Sequence, residues 1–135
     1  MARVAVFEDL IAWQSARDLA RHISTLSRTG VFNREFRLRD QIRAAAASTM
    51  SNIAEGFDRG RRTEFHQFLS IAKGSAAEVR SLIHYASDAG MLTVEQYEEL
   101  LARSREVAKV IAGLRRSVEP RRPPQKPLSP KSQDL

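Results

Sequence analysis

Between Gly56 and Arg62 the chain reads GFDRGRR, which puts Arg59, Arg61 and Arg62 beside two glycines. A guanidinium is planar and permanently charged, and it grips a phosphate through two parallel N–H bonds. The segment leads into a predicted helix, whose first N–H groups lack intrahelical partners and favour an anion. These residues could therefore bind phosphate. The spacing is not that of a phosphate loop, and a plain solvated turn has the same composition. The arginine bias extends further: of the 22 basic residues, 18 are Arg, and net charge is +6. Positions 28–62 carry eight arginines, among them Arg37 and Arg39, against four acids, and Arg121 and Arg122 follow near the end of the chain. We take Arg37, Arg39, Arg59, Arg61, Arg62, Arg121 and Arg122 as candidate nucleic-acid ligands. An Arg-rich composition inherited from a GC-rich gene is the alternative.

Other chemistry finds little support. There is no cysteine, so no disulfide framework, thiolate metal site or thiol nucleophile is available, which suits a reducing cytoplasm. His66 and His84 share a helix face but lie ~27 Å apart at 1.5 Å per residue. No Glu-x-x-His or His-x-x-x-His pair occurs, and no serine has a base and an acid placed to serve it. The expectation is a protein that is not an enzyme, with no metal, no cofactor and no small-molecule substrate. Acids at Glu8 and Asp9 interrupt any signal-peptide core, and no apolar run reaches the ~20 residues of a membrane span. The predicted location is cytoplasmic, with no membrane contact.

The elements that position these residues are read from periodicity. With 135 residues, 42% of them hydrophobic, one domain with one core is expected. All five prolines lie between Pro120 and Pro130, so long helices are permitted over 1–119, and 120–135 is predicted to be a disordered basic tail. A first helix runs from about Leu10 to Leu26, capped by Asp9, and ends at Thr29 and Gly30. A second runs from about Phe36 to Glu55, with Gly56 as the residue that closes it. A third, capped by Thr63 and closed by Gly90, carries a heptad of Phe65, Phe68, Ala72, Ser75, Val79, Leu82 and Ala86. A fourth begins at a capping box, Thr93 to Gln96, with Leu92 and Tyr97 as a hydrophobic staple. The short links force antiparallel neighbours, giving an all-α, up-down-up-down four-helix bundle.

Apolar residues also stand off these seams, among them Ile71, Ile83 and Tyr85 on the third helix and Val110 on the fourth. Either the buried stripe is wide, or a second face packs on another subunit. On the latter reading these four form an oligomer interface. A hairpin turning near residue 59 or 60 aligns positions that sum to about 120. Ala44 to Ala47 then meet Gly74 to Ala77, small on small, which offsets the ~1 kcal/mol cost of a helical glycine. The same register pairs Arg43 with Glu78.

The segment from Gln41 to Ser48 (QIRAAAAS), with Arg43 inside it, then Asn52 to Gly56 (NIAEG) with Glu55, resembles the signature of the four-helix-bundle proteins encoded in intervening sequences of bacterial 23S ribosomal RNA genes. Phe65 to Leu69, Ile71 to Ser75 with Gly74, and Glu78 are similar to that family's third helix, and Leu10 with Trp13 to Ala16 to its opening. The likeness spans about residues 7–118. The chain departs from the pattern at Ala44, where the family commonly has a second Arg, and at Met50, where it commonly has Pro. The resemblance implies a homopentameric, barrel-like assembly. The family includes the accessory variability determinant of diversity-generating retroelements, a basic pentamer that binds nucleic acid and a reverse transcriptase. Those partners, with RNA or DNA and the chain itself, are what the resemblance adds. Two functions stay open on the sequence: a non-enzymatic, homo-oligomeric nucleic-acid-binding scaffold, or a structural, protein-interaction bundle whose charge is incidental.

Overall fold

A computed structural model describes residues 3–121. After a 3₁₀ turn at Phe7–Asp9 come α1 (Ile11–Leu26), α2 (Gly30–Arg34), α3 (Phe36–Asp58), α4 (Arg62–Asp88) and α5 (Val94–Ser117). The four long helices form a square in which α1 touches α3, α3 touches α4, α4 touches α5 and α5 returns to α1. Residue pairs give the directions. Asp18 meets Arg103 and His22 meets Glu99 across α1 and α5. Ser48 meets Ser75 across α3 and α4, at 2.9 Å between hydroxyls, and His84 meets Tyr97 across α4 and α5, also at 2.9 Å. With Gly56 against Phe68 across α3 and α4, and Ser70 bonded by Arg115 across α4 and α5, each of these three helix pairs has two contacts in which one number rises as the other falls, so neighbours run antiparallel.

The core is continuous along the bundle axis. Ala16, Leu19 and Ile23 of α1 and Ile42, Ala46 and Ile53 of α3 line it, with Leu69, Val79 and Ile83 of α4 and Leu100, Val107 and Ile111 of α5. On α5 the buried stripe runs through Leu100, Ser104, Val107 and Ile111, and the helix begins at the expected capping box: Gln96 N–H donates to Thr93 Oγ1 and Thr93 N–H to Gln96 Oε1. α4 closes as expected at Gly90 (φ 75), where Gly90 N–H reaches Ser87 O and Met91 N–H reaches Ala86 O.

Four local expectations are corrected. Asp9 does not cap α1. It ends the 3₁₀ turn, and the buried Leu10 occupies the cap position with extended backbone. α3 runs past Gly56 to Asp58, and Gly60, at φ 72, takes the turn instead. Gly56 is buried, and a Cβ there would come within 2.5 Å of Phe68 Cβ, so the glycine serves helix contact rather than termination. α4 starts at Arg62 after Arg61, not after a Thr63 cap. The short α2, which burial of Phe32 explains, had no periodic signal to announce it.

The α3–α4 register is also corrected. Ser48 and Ser75 meet, three positions beyond the expected alignment. Ala44, Ala47, Gly74 and Ala77 are exposed instead of packed small on small, and nothing lies within 4 Å of a Cβ built on Gly74. Glu78 is exposed, and Arg43 instead donates from Nε to the buried Ser27 Oγ at 2.7 Å, tying α3 to the end of α1.

A polar seam joins α1 to α5. Arg103 pairs with Asp18 across the helices and with Glu99 one turn away at 3.2 Å, while His22 lies 3.7 Å from Glu99. Burial opposes the Arg103 charge, but the hydrogen bonds it donates to the Glu99 and Asp18 carboxylates, with their negative charge, outweigh it, so its pKa is raised above the ordinary arginine value.

Candidate nucleic-acid interface

The segment that holds the sequence's sharpest anion candidate reverses the chain in three residues. Arg59 caps α3, Gly60 adopts a left-handed conformation, and Arg61 leads into α4 with extended backbone. So tight a reversal projects the three arginines differently. Arg59 Nη2 bonds Glu55 Oε1 at 3.1 Å, and its guanidinium lies 5.1 Å over the Phe68 ring. Arg62 turns across the bundle end, donating from Nε to Glu119 O at 3.1 Å and from Nη2 to Ser117 O at 2.9 Å. These carbonyls at and beyond the end of α5 would otherwise need water, so Arg62 is a cap as well as a charge. Arg61 is exposed and makes no side-chain hydrogen bond or ion pair among the described residues.

Arg61 borders a cleft of about 350 Å³ lined by Arg3, Val4, Phe57, Gly60, Arg62 and Phe65. Arg3 comes from the other end of the sequence, and the chain beyond α5 brings Arg121 to the same end of the bundle, two residues past the carbonyl that Arg62 holds. Arg115 and Arg116, in the last turn of α5, add two more, Arg115 bonding Ser70 Oγ at 2.8 Å. Arg3, Arg115 and Arg116 were missed because composition was weighed in contiguous windows. The adjacent arginines ending α5 were the available signal. Arg122 lies outside the described residues.

Arg37 and Arg39 do not join this cluster. They open α3 while Arg59 follows its end, ~33 Å away at 1.5 Å per residue. Arg39 is also committed internally: Nη1 donates to Asn33 O and Oδ1, each at 3.1 Å, Nε to Asp40, and the guanidinium lies 4.9 Å over Phe36. The arginine-rich stretch is thus one run in the sequence and two ends in space.

The motif residues that carry the family resemblance divide between seams and surface. Asn52 donates to Ser48 O at 2.8 Å and to Ser48 Oγ at 3.1 Å, fixing the hydroxyl that meets Ser75. Gln41 is exposed and, with Arg37, Leu38, Leu82 and Tyr85, lines a groove between α3 and α4.

The order and spacing of these motifs now stand on a four-helix square. A family model described as 23S rRNA-intervening sequence protein matches residues 8–113. The chain belongs to that family. The match takes in all four long helices up to the last turn of α5, and so includes the α3–α4 reversal and the Ser48–Ser75 seam. A crystal structure of a protein of unknown function from the S23 ribosomal protein family of Bacteroides thetaiotaomicron has the same fold, with a TM-score of 0.71. It shares 23% identity, over 78% of this chain and 96% of its own. No curated protein matches the chain. For this 23S rRNA-intervening sequence protein, no described helix is long and apolar enough to cross a membrane.

The four expected interface residues do not form one face. Ile83 is fully buried in the core and is withdrawn from the interface. Val110 is half-buried and lines a groove with Leu10, Ile11 and Leu114 on the α1–α5 side. Ile71 and Tyr85 remain exposed, at 53% and 60%, two heptads apart on α4. Between them lies the outward strip of small residues that includes Gly74 and Ala77.

Proposed function

We propose that this protein is a non-enzymatic, homo-oligomeric scaffold that holds RNA or DNA through its phosphates. The observation that carries the reading is the arginine cluster at one end of the bundle, assembled from residue 3, residues 59–62 and residues 115–121. Arg3, Arg61, Arg116 and Arg121 have no side-chain partner among the described residues, which suits contact with an external anion. The exposed Ile71 and Tyr85 support self-association through the outer α3–α4 face. A ring would present several basic ends to one long polyanion, and the resemblance suggests five subunits, with a reverse transcriptase as a further partner.

Binding is expected to be strong at ~50 mM salt, to fall steeply by ~200 mM, and to show little sequence preference. Arg3→Ser and Arg61→Ser are each expected to take about 0.7–0.9 per occupied site off the slope of log affinity against log salt. Fluorescence anisotropy with labelled RNA and DNA measures this. Absence of binding at low salt refutes the reading.

The internal ties of Arg39, Arg59 and Arg62 favour a second reading, in which much of the basic charge serves the fold and the outer face docks a protein. Under it, Arg3→Ser with Arg61→Ser leaves partner capture unchanged. Capture lost on nuclease treatment counts against it.

A further inference from the structure

The geometry points to a narrower ligand: the cleft at the basic end takes one unpaired nucleotide, base against Phe57 and Phe65, phosphate against Arg61 and Arg3. This rests on the reading that these arginines meet nucleic acid, and it adds what phosphate contact alone does not supply, a reason to prefer single strands.

Four features carry it. The cleft is concave, and at about 350 Å³ it falls in the range of small-ligand sites, roughly 300–1,000 Å³. Its wall is aromatic: the Phe57 and Phe65 rings stand 5.8 Å apart at 82°, edge to face, so a base stacked on one ring would meet the other edge-on. Both rings are held from behind: they pack on the core, and the Phe65 ring edge lies against Gly56, 3.1 Å from where a Cβ would stand. Finally, the rim is open beside Gly60, where a Cβ would meet nothing within 4 Å, and Arg3 and Arg61 border it.

A duplex cannot use such a site. Its bases are stacked inward and their faces are hidden, so only its phosphates could reach the arginines. An unpaired base in a loop, an overhang or a single strand can leave the backbone and lie on the phenylalanines, and every base has a face to offer, so the preference is for strandedness and not for sequence. The two sources of an unpaired base, RNA and DNA, share this chemistry.

The test uses the full chain and four labelled probes of equal charge: unstructured single-stranded RNA, the matching single-stranded DNA, an abasic strand with the same phosphates, and a blunt duplex. Poly-glutamate serves as a competitor. Anisotropy at fixed low salt is expected to show base-bearing strands binding about 10-fold tighter than the abasic strand. Phe57→Leu is expected to erase most of that difference while leaving the abasic affinity unchanged. Arg61→Ser should weaken all four probes by a similar factor. The abasic comparison needs no altered protein, so a variant that fails to fold does not blunt the test. Equal affinity for abasic and base-bearing strands, with the steep salt dependence retained, overturns the nucleotide cleft and leaves the phosphate-binding scaffold standing. Failure of every probe to bind at low salt overturns both. Poly-glutamate competing as well as a nucleic acid of equal charge overturns the assignment of the cleft to a nucleotide.

Discussion

Ile83→Glu is expected to unfold the protein, whereas Tyr85→Glu, two residues away, should leave its helices intact. Ile83 is fully buried among the core side chains of all four long helices, while Tyr85 is 60% exposed. Removing a buried isoleucine's contacts costs about 2–5 kcal/mol. An unpaired carboxylate in that site adds a desolvation cost of several kcal/mol more. The sum rivals the whole stability of a small domain, about 5–15 kcal/mol. Circular dichroism at 25 °C is therefore expected to show the helical signal lost in Ile83→Glu and retained in Tyr85→Glu. Light scattering on the Tyr85→Glu variant then reads assembly separately from folding. With the parent at the proposed oligomer mass, a fall to single-chain mass locates a subunit contact on the outer α3–α4 face, and a parent already at single-chain mass refutes the self-association. An unchanged oligomer mass puts the contact elsewhere.

Two glycines inside helices should respond to alanine with opposite signs. Gly56→Ala places a methyl 2.5 Å from Phe68 Cβ, and that atom is fixed to the α4 backbone rather than at the end of a flexible chain. The helices must part, at about 1–3 kcal/mol, against which alanine's better helix propensity returns at most ~1 kcal/mol. Gly74→Ala meets open space, so only the propensity gain of about 0.5–1 kcal/mol remains. Urea unfolding midpoints for the two variants should move in opposite directions from the parent. If Gly56→Ala is neutral, the α3–α4 contact is looser than described.

The helices were legible because their apolar spacing is regular and their links carry local signals, the glycine at 90 and the capping box at 93 above all. The centre of α4 was harder. Two heptads overlap there, one through Phe68, Ser75 and Leu82, the other through Leu69, Ala76 and Ile83, and both share Ala72, Val79 and Ala86. Periodicity cannot rank them, since both have the same spacing and Ser75 is the one polar residue that separates them. The neighbours decide: Ser75 touches α3 and Ser70 touches α5, so the residues between these flanks, Leu69, Ala76 and Ile83, face the axis. The sequence reading took the α3-facing flank for the centre, which is why Ile83 was assigned outward. The candidate site was legible in part, for a related reason. Arg59, Arg61 and Arg62 are adjacent in the chain, but Arg3 and Arg121 join them only through the bundle's topology. Arg37 and Arg39 leave the set because a helix of 23 residues carries them to the far end.

The polar seam between α1 and α5 has a kinetic consequence. Asp18 and Arg103 are 85 positions apart, whereas His84 and Tyr97, across the α4–α5 hairpin, are separated by 13. Loop-closure entropy then disfavours the α1–α5 contact by about 1.7 kcal/mol relative to the hairpin. Both the hairpin and the α1–α3 contact, where Arg43 and Ser27 are 16 positions apart, are then expected to form before the α1–α5 seam, which is a bolt thrown after the door has shut. Interactions made after the folding barrier is crossed leave the folding rate alone and slow escape from the native state. Asp18→Asn should therefore raise the unfolding arm of a denaturant chevron and leave the folding arm in place, which makes the seam a determinant of how long the folded bundle lasts rather than how fast it is reached.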